Sequence, residues 1–334
     1  MKKALSFMLL IAGITACQNK SSSELVHLSG NAQGSTFSIK YLGEESQKLA
    51  NSVDSIFKAI DFSLSTYNKE SLITSINNNP SSAKRVDKLF EVVYLRSVEI
   101  AQETNGAFDP TVGPLIDLWG FGLEKHTEID STLVDSVKAF IGIEKSTLID
   151  KDFVMPTGFT INFNAIAQGY TVDVLADFLE SKGIVNYFVE VGGETRAKGK
   201  NLAGKVWRVG IDKPEENLDA ANRLQGIVSL KNKALATSGN YRKFWVDERT
   251  GEKYAHTLNP ETGYPAKNNL LSVSVIAKST MDADAYATAS MVMGLEKSEA
   301  FIESKKDLEA MFIYTKPDGS WGTFTTSGFE IEAP

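Results

Sequence analysis

An α+β fold is what this sequence predicts, a mixed and largely antiparallel sheet with helices packed against it. Helical and strand-like patterns are interspersed without the regular β-α-β alternation of a doubly wound parallel sheet. Of the 334 residues, 42% are hydrophobic and 23% charged, ample material for a core. Charge bounds the function. The formal net charge is −7 and there is no dense Lys/Arg run to displace counterions from phosphates, which argues against a nucleic-acid partner.

Residues 1–16 read as a signal peptide. Lys2 and Lys3 give a positive start, and Ala4 to Ile14 is an apolar stretch too short to span a bilayer as a mature helix. Ile14-Thr15-Ala16-Cys17 then resembles a bacterial lipobox, whose Cys is diacylated and becomes the first residue; a plain secretory signal is the alternative. Cys17 is the only cysteine, so no disulfide forms within the chain, and lipidation is its simplest use. Residues 17–30, with Gln18-Asn19-Lys20-Ser21-Ser22-Ser23 near their start, read as a flexible tether. Residues 31–330 are then the folded domain. An exported protein, lipid-anchored to the bacterial cell membrane and facing the periplasm, is the expectation.

The elements follow from periodicity. Thr36 to Tyr41 alternates apolar and polar residues, as a half-buried strand should. Leu49, Val53, Ile56, Phe57 and Ile60 have helical spacing, as do Leu89, Val92, Val93, Arg96 and Ile100. An apolar loop punctuated by Gly and Pro runs from Thr104 to Gly122. A helix is expected over Ile166 to Ser181, closed by Gly183, and then a buried strand, Tyr187 to Val191, ending at Gly192-Gly193. Strands near Trp207–Ile211, Ile227–Leu230 and Leu271–Ala277 make the second half sheet-rich, before a helix over Met281–Met293. Neither Walker A nor Gly-x-Gly-x-x-Gly is present, so any nucleotide is held another way.

Four segments carry candidate chemistry. The Thr104–Gly122 loop either packs on itself or floors a flat apolar ligand that its glycines let approach. Asn162 to Tyr170 leads into a helix N-terminus, which suits a phosphate, although Asn164 serves equally as an ordinary N-cap. Asp284 and Thr288 lie four apart on one helix face and offer the hard oxygens that Mg²⁺ takes; Asp282 is as good a helix cap as a ligand. Of three histidines (His27, His126 and His256), only His256 sits among turn residues between strands, where site residues often lie. Ala236 to Arg242 adds hydroxyls, an amide and a cation that serves a phosphate or a surface acid.

In this order, from about Gly34 to Phe324, the segments resemble the ApbE family, the FAD:protein FMN transferases. The match runs through Ser65-Thr66-Tyr67, Thr104–Gly122, Asn162–Tyr170, Gly192-Gly193, Thr237-Ser238-Gly239, His256–Gly263 and Asp284–Thr288. The resemblance implies a two-lobed single domain. It implies FAD contacts from Gln33, Tyr67, Ala107, Phe108, Asp109, Asn162, Gln168 and Leu258, and Mg²⁺ held by the Ala165 carbonyl with Asp284 and Thr288. His256 matches the family histidine linked to transfer.

The reaction so implied has a Thr or Ser hydroxyl of an exported flavoprotein attack the FMN-side phosphorus of FAD, with release of AMP. His256, or failing that Asp284, takes the hydroxyl proton. The acceptor implied is a membrane redox subunit, such as one of a sodium-pumping NADH:quinone oxidoreductase or a related complex. Asn162 stands where the family often has Asp, Asn259 where Asp is usual and Gln168 where Lys or Glu is commoner. Rival expectations are an Mg²⁺-dependent FAD pyrophosphatase and a non-catalytic flavin-binding lipoprotein.

Overall fold

The computed structural model describes residues 24–122, 130–215, 222–240, 244–246 and 253–334, with only the backbone described for 244–246 and 253–255. The signal peptide, Cys17, the start of the tether, His126, Tyr241 and Arg242 lie outside the described residues. In chain order the elements are β1 (Glu24–Ala32), β2 (Ser35–Gly43), α1 (Gln47–Leu64), α2 (Leu72–Asn77), β3 (Lys84–Arg85) and α3 (Lys88–Glu103). Next come α4 (Gly113–Leu118), α5 (Ser131–Lys138), β4 (Thr147–Ile149), β5 (Asp152–Val154) and α6 (Ala167–Ser181). After α6 the chain is mostly strand: β6 (Tyr187–Val191), β7 (Glu194–Lys198), β8 (Trp207–Asp212), β9 (Leu224–Leu230) and β10 (Lys233–Gly239). It ends with β11 (Phe244–Val246), β12 (Lys253–Ala255), β13 (Leu270–Ala277), α7 (Thr280–Met293), α8 (Leu295–Ser304), β14 (Glu309–Thr315) and β15 (Trp321–Thr325).

Among the described residues, eight strands form the main sheet in the order β1-β2-β6-β7-β10-β13-β14-β15. Every neighbouring pair is antiparallel, which bears out the expected α+β fold with a largely antiparallel sheet. Alternation along each strand sorts side chains to two faces. On β13, Val273, Val275 and Ala277 join the largest core beneath the helices, while Ile276 joins a second core on the opposite face with Trp207 and Val228. Helices therefore cover one face, and the β8–β9 pair covers part of the other. At one end α1 packs on α6, burying Leu49, Val53 and Phe57 against Ile39, Tyr187 and Val189. Further along, α7 lies across β10 and β13 and crosses α6.

Two expectations are corrected. The segment assigned to the tether enters the fold at Glu24, because β1 pairs with β2 along its whole length, with Val26 its one buried residue. The Thr104–Gly122 loop contains a short helix, α4, opened by Pro114 near its N-terminus, where a missing N–H costs nothing. Among the described residues no helix is long and apolar enough to cross a membrane.

Candidate functional site

A cavity of about 1560 Å³ opens at the start of α6, between α7, the Thr104–Gly122 loop and the His256 turn. Asp284 and Thr288 reach it from α7, whose N-cap is Ser279, its hydroxyl accepting from Asp282 N. Small neighbours such as Ala283, Ala285 and Ala287 let α7 press into the core. Asp284 is buried, and its Oδ2 accepts the Gly169 N–H of α6 at 3.0 Å. Burial pushes its carboxyl up to about 7, with the Gly169 N–H pulling the other way. Thr288 Oγ1 lies 3.1 Å from Ser238 Oγ on β10.

Asp282 is neither cap nor cavity residue. Its carboxylate accepts from Arg96 Nε at 2.7 Å, on the α3 side of the helix. Asn164 is likewise not the cap of α6, which starts after Ile166 without a side-chain cap. Asn164 N instead donates to Asn162 Oδ1 at 2.8 Å, and its amide donates to the Tyr67 hydroxyl at 3.3 Å. The first turn of α6 is thus met by a carboxylate from another helix, which suits its free N–H groups and positive end.

The His256 turn is carried by the apolar loop. The Trp119 indole donates to the Gly263 carbonyl at 2.8 Å, and its ring meets Tyr264 edge-on with centroids 5.6 Å apart. Leu258 is buried with Leu115, Leu118 and Trp119, and the His256 ring lies 6.5 Å from that of Phe121. Asn259 accepts from Glu261 N at 2.8 Å and Thr262 N at 3.1 Å. An amide oxygen does this as well as a carboxylate, so the Asn at this position keeps the turn ordered. Composition left packing and ligand floor as alternatives for the loop; the loop has a packed interior, and Ala107, Phe108 and Asp109 form an edge facing the cavity.

Asp109 is spent on the loop itself. Its carboxylate accepts from Thr111 N at 2.7 Å, Thr111 Oγ1 at 2.6 Å and Ile143 N at 3.1 Å, while burial raises its pKa. Asn162 N donates to the Pro110 carbonyl at 2.7 Å, joining this loop to the turn before α6. Asn77 clamps the same turn from α2, exchanging bonds of 2.9 and 2.8 Å with the Ile161 backbone. Gln168 lines the cavity beside Gly192, where φ is +62° and a Cβ would collide with the Gln168 amide. Tyr67 stands on the wall, 71% exposed, a free ring face beside the cavity.

The structure therefore brings Tyr67, Ala107, Phe108, Asp109, Asn162, Ala165, Gln168, His256, Leu258, Asp284 and Thr288 to one cavity. Gln33 is the exception. It is not among the lining residues, and its amide donates to Thr171 Oγ1 at 2.7 Å. Among the described residues no three His, Cys, Asp or Glu side chains cluster as a metal site. The donor set at hand is the buried Asp284 carboxylate with the Thr288 hydroxyl one turn on, and Ala165 lining the same cavity. It fits a hard dication, whose positive charge would stabilise the ionised carboxylate that burial disfavours. Sequence reading missed Gly169 and Asp173, which set how α6 meets α7. Gly at the third position of a helix, with Asp one turn on, was the available signal.

Comparison with known proteins agrees with the geometry. A family model described as the ApbE family matches residues 33–312. A Vibrio cholerae protein named FAD:protein FMN transferase is 37% identical, covering 98% of this chain and 97% of its own. A Haemophilus influenzae protein of the same name is 33% identical, covering 99% and 98%. Among solved structures, a flavin transferase ApbE from Vibrio cholerae superposes with a TM-score of 0.82 at 35% identity, over 92% of this chain and 98% of its own. The apo flavinyl transferase ApbE of Pseudomonas stutzeri gives a TM-score of 0.82 at 31% identity, over 91% and 95%.

Proposed function

The chain belongs to the ApbE family, and on that premise we propose that it is an Mg²⁺-dependent FAD:protein FMN transferase acting on a Thr or Ser of an exported flavoprotein. One observation carries the reading: the carboxylate–hydroxyl pair of α7, the α6 N-terminus and the His256 turn meet at a single cavity.

Each group has a task there. The Thr104–Gly122 loop and the exposed Tyr67 ring offer apolar surface to the flavin or adenine ring. The first turn of α6 turns its positive end toward the pyrophosphate, its Gly169 N–H already given to Asp284. Asp284, Thr288 and the Ala165 carbonyl would hold Mg²⁺, which when bound offsets phosphate charge at the displacement. His256, on the cavity wall, takes the acceptor hydroxyl's proton as that oxygen attacks the FMN-side phosphorus, and AMP departs. A neutral imidazole suits that task near pH 7. The acceptor is taken to be a membrane redox subunit, of a sodium-pumping NADH:quinone oxidoreductase or a related complex. Acylation of Cys17 would hold the enzyme at the membrane on the same periplasmic side as such an acceptor.

The test is incubation with FAD and Mg²⁺, with and without a candidate acceptor domain, followed by separation of nucleotides. The expected result is AMP release that needs the acceptor. Equal FMN and AMP release without it would assign the site to hydrolysis, and FAD bound but intact in both arms would make the protein a flavin binder. The anchor is tested separately: metabolic labelling with a fatty acid should mark the wild type and not Cys17→Ser.

A further inference from the structure

Within the interface between helices α6 and α7, carboxylate-to-backbone hydrogen bonds are exchanged around two residues on each helix, one turn apart. On α6 these are Gly169 and Asp173; on α7 they are Thr280 and Asp284. Asp173 is 7% exposed, and its carboxylate accepts from Thr280 N at 3.0 Å, Thr280 Oγ1 at 3.1 Å and Met281 N at 2.9 Å. In the other direction Asp284 accepts from Gly169 N at 3.0 Å. Each helix thus sets a carboxylate on first-turn amides of its neighbour, where negative charge is favourable.

The bonds from Asp173 are not what starts α7. Ser279 already caps that helix through Asp282 N, and Ala283, Ala285, Tyr286, Ala287 and Met291 bury it in the main core. The Asp173 bonds instead fix the height and rotation of α7 on α6. Arg196 of β7 holds Asp173 in turn, Nη1 to Oδ1 at 3.1 Å, anchoring the contact to the main sheet. Where the helices meet, Gly169 brings the backbones close: a Cβ there would lie 2.8 Å from Asp284 Cβ.

We propose that Asp173 is a positioning residue for the cation site, holding α7 in the register that brings Asp284 and Thr288 to the α6 N-terminus. It rests on the reading that Asp284 and Thr288 hold a divalent cation. A slide or rotation of α7 that broke the Asp173 bonds would carry both ligands with it, because they sit on the same rigid helix. Loss of a residue that orients a metal ligand costs about 10- to 100-fold in metal affinity.

The experiment measures Mn²⁺ binding to the full chain without FAD, by loss of the free-ion electron paramagnetic resonance signal. Asp173→Asn should weaken binding at least tenfold. Asp87→Asn is the structural control: it removes a comparable carboxylate at the start of α3, bonded to Phe90 N and Ser63 Oγ and absent from the cavity wall. It should bind Mn²⁺ as the wild type does. Arg196→Gln, which leaves both helix contacts in place but frees Asp173, should fall between them and serves if Asp173→Asn does not fold. Wild-type Mn²⁺ affinity in Asp173→Asn, or an equal loss in Asp87→Asn, overturns the proposal while Asp284→Ala still reports on the site. A wild-type chain that takes up no Mn²⁺ overturns the proposal together with the metal reading beneath it.

Discussion

Gly169→Ala is the smallest change that strikes where the two site helices meet. A Cβ at this position would lie 2.7 Å from the Thr280 carbonyl carbon and 2.8 Å from Asp284 Cβ, and ordinary contact begins at 3.4 Å. The tightest clash is with the Thr280 carbonyl oxygen, and even at its carbon the shortfall is about 0.7 Å on backbone, which cannot rotate away. One helix must retreat by at least that amount. Overpacking of this kind costs about 1–3 kcal/mol, from which the better helix propensity of Ala recovers about 0.5–1 kcal/mol. The net loss lies between about 0 and 2.5 kcal/mol, a fall in Tm of at most several degrees at about 2–4 °C per kcal/mol for larger domains.

Activity should suffer more. The same retreat stretches the 3.0 Å bond from Gly169 N to Asp284, and misplacement of catalytic groups by about 1 Å costs on the order of 100-fold in rate. The assay pairs thermal unfolding with the FMN transfer rate, measured well below the lower Tm. The expected outcome is a melting point only slightly lowered and a rate down by one to two orders of magnitude. A Gly169→Ala enzyme with the wild-type rate would refute the idea that α6–α7 spacing sets the site.

Three further outcomes are expected. His256→Ala should keep its Tm and FAD affinity but lose about 10²–10⁴-fold in transfer rate, the usual contribution of general base catalysis; retained turnover would remove His256 from the chemistry. Burial pushes Glu103 up, but bonds from Lys305 and Tyr286 and the charge of Arg96 outweigh it and hold its carboxyl below the usual range. A depressed folded-state pKa contributes stability that is present above the unfolded value and lost as pH falls through the folded one. Glu103→Gln should therefore melt below wild type at pH 7, with the two converging in acid; a constant gap would place the effect in packing. Trp119→Phe deletes the bond to the Gly263 carbonyl, costing about 1 kcal/mol, and by loosening the His256 turn should lower turnover without changing Mn²⁺ binding.

The sheet and helices were legible where burial on one face is strongly periodic. Leu49, Val53, Phe57 and Ile60 announced α1, and Thr36–Tyr41 announced β2, because packing and local pattern agree there. The tether boundary was not legible: β1 carries only Val26 as a buried residue, and its place comes from pairing with β2 rather than from its own composition. At the site, Asp284 and Thr288 could be paired from helical spacing alone. Their meeting with His256 could not, since it depends on a contact between Trp119 and Gly263 that no local pattern encodes. Asp173 and Gly169 escaped for a related reason. A buried Asp in mid-helix reads as an ordinary polar residue until the partner helix supplies the N–H groups it accepts. Asn259 shows the converse: it stands where the family usually has Asp, and the turn needs only an acceptor oxygen.

Intact-mass spectrometry is the most direct test of FMN transfer to protein. A purified acceptor domain is incubated with the full chain, FAD and Mg²⁺, and fragmented to locate any adduct. A gain equal to one FMN phosphodiester on a single Thr or Ser, absent with Asp284→Ala, is the predicted result. An acceptor of unchanged mass while FAD is consumed to free FMN and AMP would contradict it.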